Sequence, residues 1–109
     1  MTALEDDLMR RWGHSFEDDV NGLLVYRPAD YDFPRARGRD GIEFQPGGVY
    51  VEWMIGPGDG RVGKPGTWML CDDGQLLVTV GALQRLYELS FLSADRLELR
   101  PLPTPGMAN

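Results

Sequence analysis

The chain has 109 residues, with eleven lysines and arginines against seventeen aspartates and glutamates, and a net charge of −6. That length is one domain, and the acidic balance lacks the basic footprint that non-specific nucleic-acid binding requires. A single cysteine, Cys71, excludes an internal disulfide and fits a reducing, cytoplasmic setting.

No run of about 18 apolar residues exists, so no membrane-spanning helix is expected. The first eleven residues carry Glu5, Asp6 and Asp7 and no apolar stretch, which is not the pattern of a signal peptide. Thr2-Ala-Leu-Glu5 matches a capping box, with acids in the first turn and Arg10 and Arg11 in the last. This predicts a short helix over 3–11, with Gly13 as a stop, that plugs one end of the domain. Trp12, His14 and Phe16 then alternate with Gly13 and Ser15 as a first strand with an aromatic inner face. A turn over 17–22, closed by Asn21-Gly22, leads to a second strand over 23–27.

Pro28 to Asp40 is a long irregular connection of the kind that is usually functional or mobile. It places Tyr31 and Phe33 among Arg27, Arg35, Arg37 and Arg39, as either a latch on the fold or a lid over a ligand. The centre of the chain, 41–80, reads as two β-hairpins. One has arms 41–45 and 49–55 around Pro46-Gly47-Gly48; the other has arms 67–71 and 75–80 around Asp72-Asp73-Gly74. Alternation puts Val49, Val51, Trp53 and Ile55 on one face, taken as inward, and Tyr50, Glu52 and Met54 on the other. Between the hairpins, Gly56–Gly66 reads as a surface loop. It is not a P-loop, because Pro65 follows Lys64 where that motif needs Ser or Thr. A strand over 83–92 turns Tyr87, Leu89 and Phe91 inward. A last strand over 96–100 turns in Leu97 and Leu99, and the proline-rich tail from Pro101 is expected to fray.

Eight strands in simple succession, without a helix after the first, predict an all-β antiparallel meander that hides its edges by closing into a small up-and-down barrel. The interior of such a barrel is just wide enough to be filled by side chains or to hold one small ligand. The inward set by alternation also includes Leu23, Val25, Ile42, Phe44, Trp68, Leu70, Leu76, Val78 and Val80. No carboxylate falls on it.

At this point the residues resemble the calycins, and in particular the small bacterial lipocalin-like domains. Those begin with a short helix and a Trp on the first strand, continue as a plain meander, and cover that Trp with an Arg near the last strand. Trp12 is the matching Trp, and Arg100 or Arg96 the matching Arg; Arg10 stands where the family has a glycine. The resemblance spans about residues 8 to 100. It implies binding of a small, mainly apolar molecule, with isomerases and cyclases as the catalytic minority of the family.

The ligand-binding expectation follows. Phe44, Trp53, Trp68, Tyr87 and His14 form the lining, Tyr31 and Phe33 the cover, and Arg35, Arg37 or Arg39 the partner of an acidic group, since an Arg fork suits a carboxylate. Two other readings stand beside it. His14, the only histidine, would be the proton-transfer group of a small isomerase or cyclase. A solid core would instead make the chain an interaction module, and a homodimer is allowed. His14 has no second His or Cys near it by spacing, Cys71 has no His partner, and neither metal nor cofactor is expected.

Overall fold

Turn chemistry sets where the strands end. Asn21 and Gly22 both take positive φ, 52° and 79°, which only a Gly or an Asn adopts readily, and they reverse the chain between Val20 and Leu23. The Pro46–Gly48 turn holds Gly47 and Gly48 at φ 79° and 78° and makes Gln45 and Val49 the closing pair of its hairpin. The computed structural model describes residues 3–35, 39–55, 61–71 and 73–103. A short helix, α1 (Ala3–Leu8), precedes eight strands: β1 (Arg11–His14), β2 (Leu24–Pro28), β3 (Gly41–Gln45), β4 (Val49–Ile55), β5 (Arg61–Leu70), β6 (Gln75–Val80), β7 (Leu83–Ser93) and β8 (Arg96–Leu102).

The strands close into an antiparallel barrel in the order β1-β2-β8-β7-β6-β5-β4-β3, with β3 returning to β1. From β3 to β8 the chain is a meander. The first hairpin is inserted the other way round, so that β1 lies between β2 and β3 while β2 closes the seam on β8 through Leu24↔Leu99 and Tyr26↔Leu97. Side-chain alternation is indifferent to this choice, because turning a hairpin about its axis keeps its faces and changes only its neighbours. The consequence is a crossover from β2 to β3, described at 29–35 and 39–40, in which Phe33 packs on the outer side of β1 at Gly13.

The inner face carries Trp12, Ile42, Phe44, Tyr50, Trp68, Leu76, Val78, Tyr87, Leu97 and Leu99, all buried. One end is plugged. Leu8 and Trp12 are fully buried, and the Trp12 indole N–H donates to the Leu8 carbonyl at 3.0 Å. Arg10 lies 5.5 Å from the Trp12 ring and donates to the Ala94 carbonyl at 2.6 Å, tying α1 to the β7–β8 turn. The cation beside Trp12 is therefore Arg10, from the residue that departs from the lipocalin pattern, and not Arg100 or Arg96. Those two arginines face outward, toward Glu88 and Glu98.

Several faces differ from the alternation. Gln45↔Val49 pairing makes Phe44 the direct partner of Tyr50, and directly opposed residues share a face. Phe44 is buried, so Tyr50 is too, at 2% exposure; β4 thus turns Tyr50 and Glu52 inward and Val51 and Trp53 outward. A carboxylate, Glu52, consequently does fall inside. In β2 the inner residues are Leu24 and Tyr26, one step off Leu23 and Val25; Val25 is buried on the outer side, beneath the 3-10 turn Phe16–Asp18. Phe16 belongs to that turn and is exposed. A bulge between Leu89 and Phe91 shifts the register of β7, so Leu92 faces Leu97 inward while Phe91 pairs Glu98 and is exposed.

Two segments are more ordered than their composition implies. β5 extends the hairpin back to Arg61, so 61–66 is strand. Gly66 allows this, since a Cβ there would stand 2.1 Å from the Thr79 carbonyl oxygen. At the other end Pro101 and Leu102 continue β8 opposite Tyr87 and Leu86. No helix among the described residues is long and apolar enough to cross a membrane.

Candidate functional site

The end of the barrel away from the plug is polar inside. β7 touches the plug through its Ala94 end, and Arg85 stands near its other end on the inner face. There Arg85 Nη1 donates to Glu52 Oε2. β4 and β7 are separated by β5 and β6, so this ion pair spans the barrel interior. Its two halves differ in access, the Arg85 side chain being 41% exposed and Glu52 only 17%. Three tyrosines project inward, Tyr50 and Tyr87 beside the pair and Tyr26 near those two. Tyr50 precedes Glu52 by one inward step, Tyr87 follows Arg85 by one, and Tyr26 comes from β2.

Burial is the main reason that Tyr26 and Tyr50 hold their protons well above the ordinary phenol range. Each is pushed further by the nearness of Tyr87 and of acidic neighbours, Asp40 in both cases. Tyr87 is raised by burial as well, with Arg85 pulling the other way. All three are neutral O–H groups at any physiological pH. Tyr26 and Tyr50 are 5% and 2% exposed, with their rings in the core. The arrangement is thus a set of neutral donors and one ion pair, Arg85 with Glu52, turned toward the barrel interior.

His14 sits beside this space with its ring 5.0 Å from that of Tyr26. Its two nitrogens face two carboxylates, Nδ1 with Asp40 Oδ1 at 3.1 Å and Nε2 with Asp19 Oδ2 at 2.9 Å. A neutral imidazole has one N–H and can donate to only one of them; the imidazolium serves both. The hydrogen bond to Asp40 lifts the His14 pKa above 6.5, against the effect of burial, and the charges of Asp40 and Asp19 add to the rise. Asp19 also accepts the Val25 N–H at 2.8 Å, so His14 ties the β1–β2 connection to the start of β3. His14, Asp19 and Asp40 have the residue types of a metal set, but they satisfy one another, and among the described residues no group of three or more such side chains is placed to hold an ion.

The crossover is a latch. Phe33 lies on Gly13, where a Cβ would come within 2.8 Å of the ring. Arg39 is buried, with the rings of Phe16 and Phe33 4.7 and 4.4 Å from its guanidinium carbon. Its nitrogens donate to both carboxylate oxygens of Glu17, at 2.9 and 2.6 Å, and to the carbonyls of His14 and Pro34. The hydrogen bonds from Arg39 hold the Glu17 carboxyl down at about 2.

The residues expected to line one pocket are therefore divided. Phe44, Trp68 and Tyr87 face the interior, and His14 borders it. Phe44 and Trp68 pack edge to face at 5.5 Å, and the Trp68 N–H donates to the Gln45 carbonyl. Trp53 lies on the outer wall, its N–H donating to Glu43 at 3.0 Å, and does not meet Trp68 or Tyr87. Tyr31 is exposed and packs on Phe33; Arg35 is exposed; Arg37 lies outside the described residues. Arg39 is committed to Glu17. Sequence reading missed Glu52, Arg85, Tyr26 and Tyr50. The signal for Tyr50 was present in the three-residue turn, which pairs it with Phe44.

Comparison with known proteins gives no neighbour: no protein-family model, no curated protein and no solved structure matches the chain. The closed eight-stranded antiparallel barrel is compatible with a lipocalin-like fold.

Proposed function

We propose that this protein is a calycin-like binder of a small, mainly apolar molecule carrying an acidic group. The acidic group is taken at the polar end of the barrel by Arg85 and the hydroxyls of Tyr26, Tyr50 and Tyr87. The observation that supports this is the inward placement of Tyr26, Tyr50 and Tyr87 in a barrel whose polar end carries the partly exposed Arg85. Neutral O–H donors and a guanidinium are the groups that recognise an anion in a half-buried setting. The plugged half is filled by Trp12, Phe44 and Trp68, so the acidic group is assigned to the polar end. The isomerase reading draws no support from His14, whose ring nitrogens are both engaged by carboxylates.

Calorimetric titration with decanoate, with decanol as the uncharged control, tests the proposal. Wild type should bind the acid and not the alcohol. Arg85→Gln should weaken binding about ten-fold or more, the scale of a lost charge-assisted hydrogen bond. Equal binding of the alcohol, or full affinity in Arg85→Gln, would refute it.

A further inference from the structure

The outer wall of the barrel carries a concavity. It is a cleft of about 310 Å³ between the crossover and β1, lined by Arg11, Gly13, Phe33, Arg39, Asp40 and Gly41 among others. Its floor is Gly41, beside its cross-strand partner Gly13, which the Phe33 ring covers. Neither position tolerates a side chain: a Cβ on Gly41 would stand 2.6 Å from the Trp12 carbonyl oxygen, and one on Gly13 would meet Phe33. One wall is the Phe33 ring. On the other side Arg11 stacks on Trp53, its guanidinium carbon 4.2 Å from the ring centroid.

The charges of the cleft are unequal in availability. Arg39 is bound by Glu17 through both carboxylate oxygens. Asp40 is bound by His14. Among the described residues the Arg11 guanidinium stacks on Trp53 and has no carboxylate or hydrogen-bond partner. Stacking occupies the face of a guanidinium and leaves its edge, where the N–H fork lies, open to a carboxylate. The indole that carries Arg11 is itself held, by its hydrogen bond to Glu43 and by Gly63, whose missing Cβ gives the ring a seat 2.8 Å from where that atom would be. The cation is thus pre-positioned at the side of a flat-floored slot with an aromatic wall.

We infer that this cleft is a binding site for a small aryl carboxylate. The ring would lie over Gly41 against the edge of Phe33, and the carboxylate would engage the Arg11 fork. The volume is at the lower end of small-molecule sites, which suits a one- or two-ring acid and not a long chain. The site is separate from the barrel interior: Arg11 and Trp53 face outward, Arg85 and Glu52 inward. It does not rest on the function proposed above.

The test is an amide-resolved NMR titration of isotope-labelled protein with benzoate and indole-3-carboxylate, and with benzamide as the uncharged control. Both acids should shift the Trp53 indole N–H and the Gly13 and Gly41 amides in a saturable way, and benzamide should not. Arg11→Gln should weaken that binding at least ten-fold with the rest of the spectrum unchanged, and Arg85→Gln should leave it intact. Phe33→Leu, which keeps an apolar cover over Gly13, should weaken it without abolishing it. Three results would overturn the inference: no saturable shift at those three groups, equal binding of benzamide, or loss of binding in Arg85→Gln but not in Arg11→Gln.

Discussion

Replacing Tyr50 by Ala should cost this protein much more stability than replacing Trp53 by Ala, although Trp is the larger side chain. Tyr50 is 2% exposed and packs edge to face on Phe44 with ring centroids 5.4 Å apart. Truncating a buried aromatic to Ala costs about 3–5 kcal/mol, of which the edge-to-face contact contributes about 0.5–1.5 kcal/mol. Trp53 lies on the outer wall, where its truncation removes one stacked cation and one hydrogen bond to a carboxylate that water can replace. That loss is about 1–2 kcal/mol. Against a total stability of about 5–15 kcal/mol, the first variant should show a large fall in the urea midpoint and the second a small one. Equal losses, or a larger loss for Trp53→Ala, would refute the register of β4 and with it the placement of Glu52 inside.

Other outcomes follow from the same geometry. Folding raises the His14 pKa, so its contribution to stability is complete below about pH 6.5 and is lost as pH rises through the higher folded value. Thermal midpoints should therefore fall across that alkaline limb in wild type and stay level in His14→Gln. The Glu17 carboxyl is held at about 2 and Asp40 is also lowered, so stability should decline as pH drops below about 4, and Glu17→Gln should flatten part of that acid limb. Gly13→Ala should destabilise by about 1–3 kcal/mol through its clash with Phe33. Phe33→Ala should relieve most of that penalty in a double-mutant cycle, and simple additivity would contradict the latch. Arg39→Gln should make the crossover a target for limited proteolysis while the barrel stays intact; unchanged protection would contradict its role as the fastener.

The fold was largely legible because turns and alternation are local. The Asn21-Gly22, Pro46–Gly48 and Gly74 turns delimit the arms, and β3, β4 and β6 have the bounds their patterns imply. What could not be read locally was partnership. A four-residue β1 bordered by β2 and β3 depends on the crossover resting on Gly13, a contact between residues twenty apart. The bulge in β7 leaves no mark in composition, yet it exchanges Phe91 for Leu92 on the inner face. Hydrophobicity misled in β4, where Trp53 seemed an obvious core residue. Its true seat is an outer glycine, Gly63, and the turn geometry that pairs Phe44 with Tyr50 overrides it. The crossover arginines were legible as a cluster, and Arg39 proved a fastener because Glu17 reaches it from a turn that sequence separation hid. Glu52 and Arg85 went unseen for the same reason: they meet only once the barrel has closed.

The most direct test of the binding proposal is native mass spectrometry of the protein purified from its own host, beside Arg85→Gln prepared identically. The account predicts a stoichiometric small acidic molecule on wild type that is lost or sharply reduced on the variant. Clean unliganded masses for both proteins, or an identical bound mass on both, would contradict it.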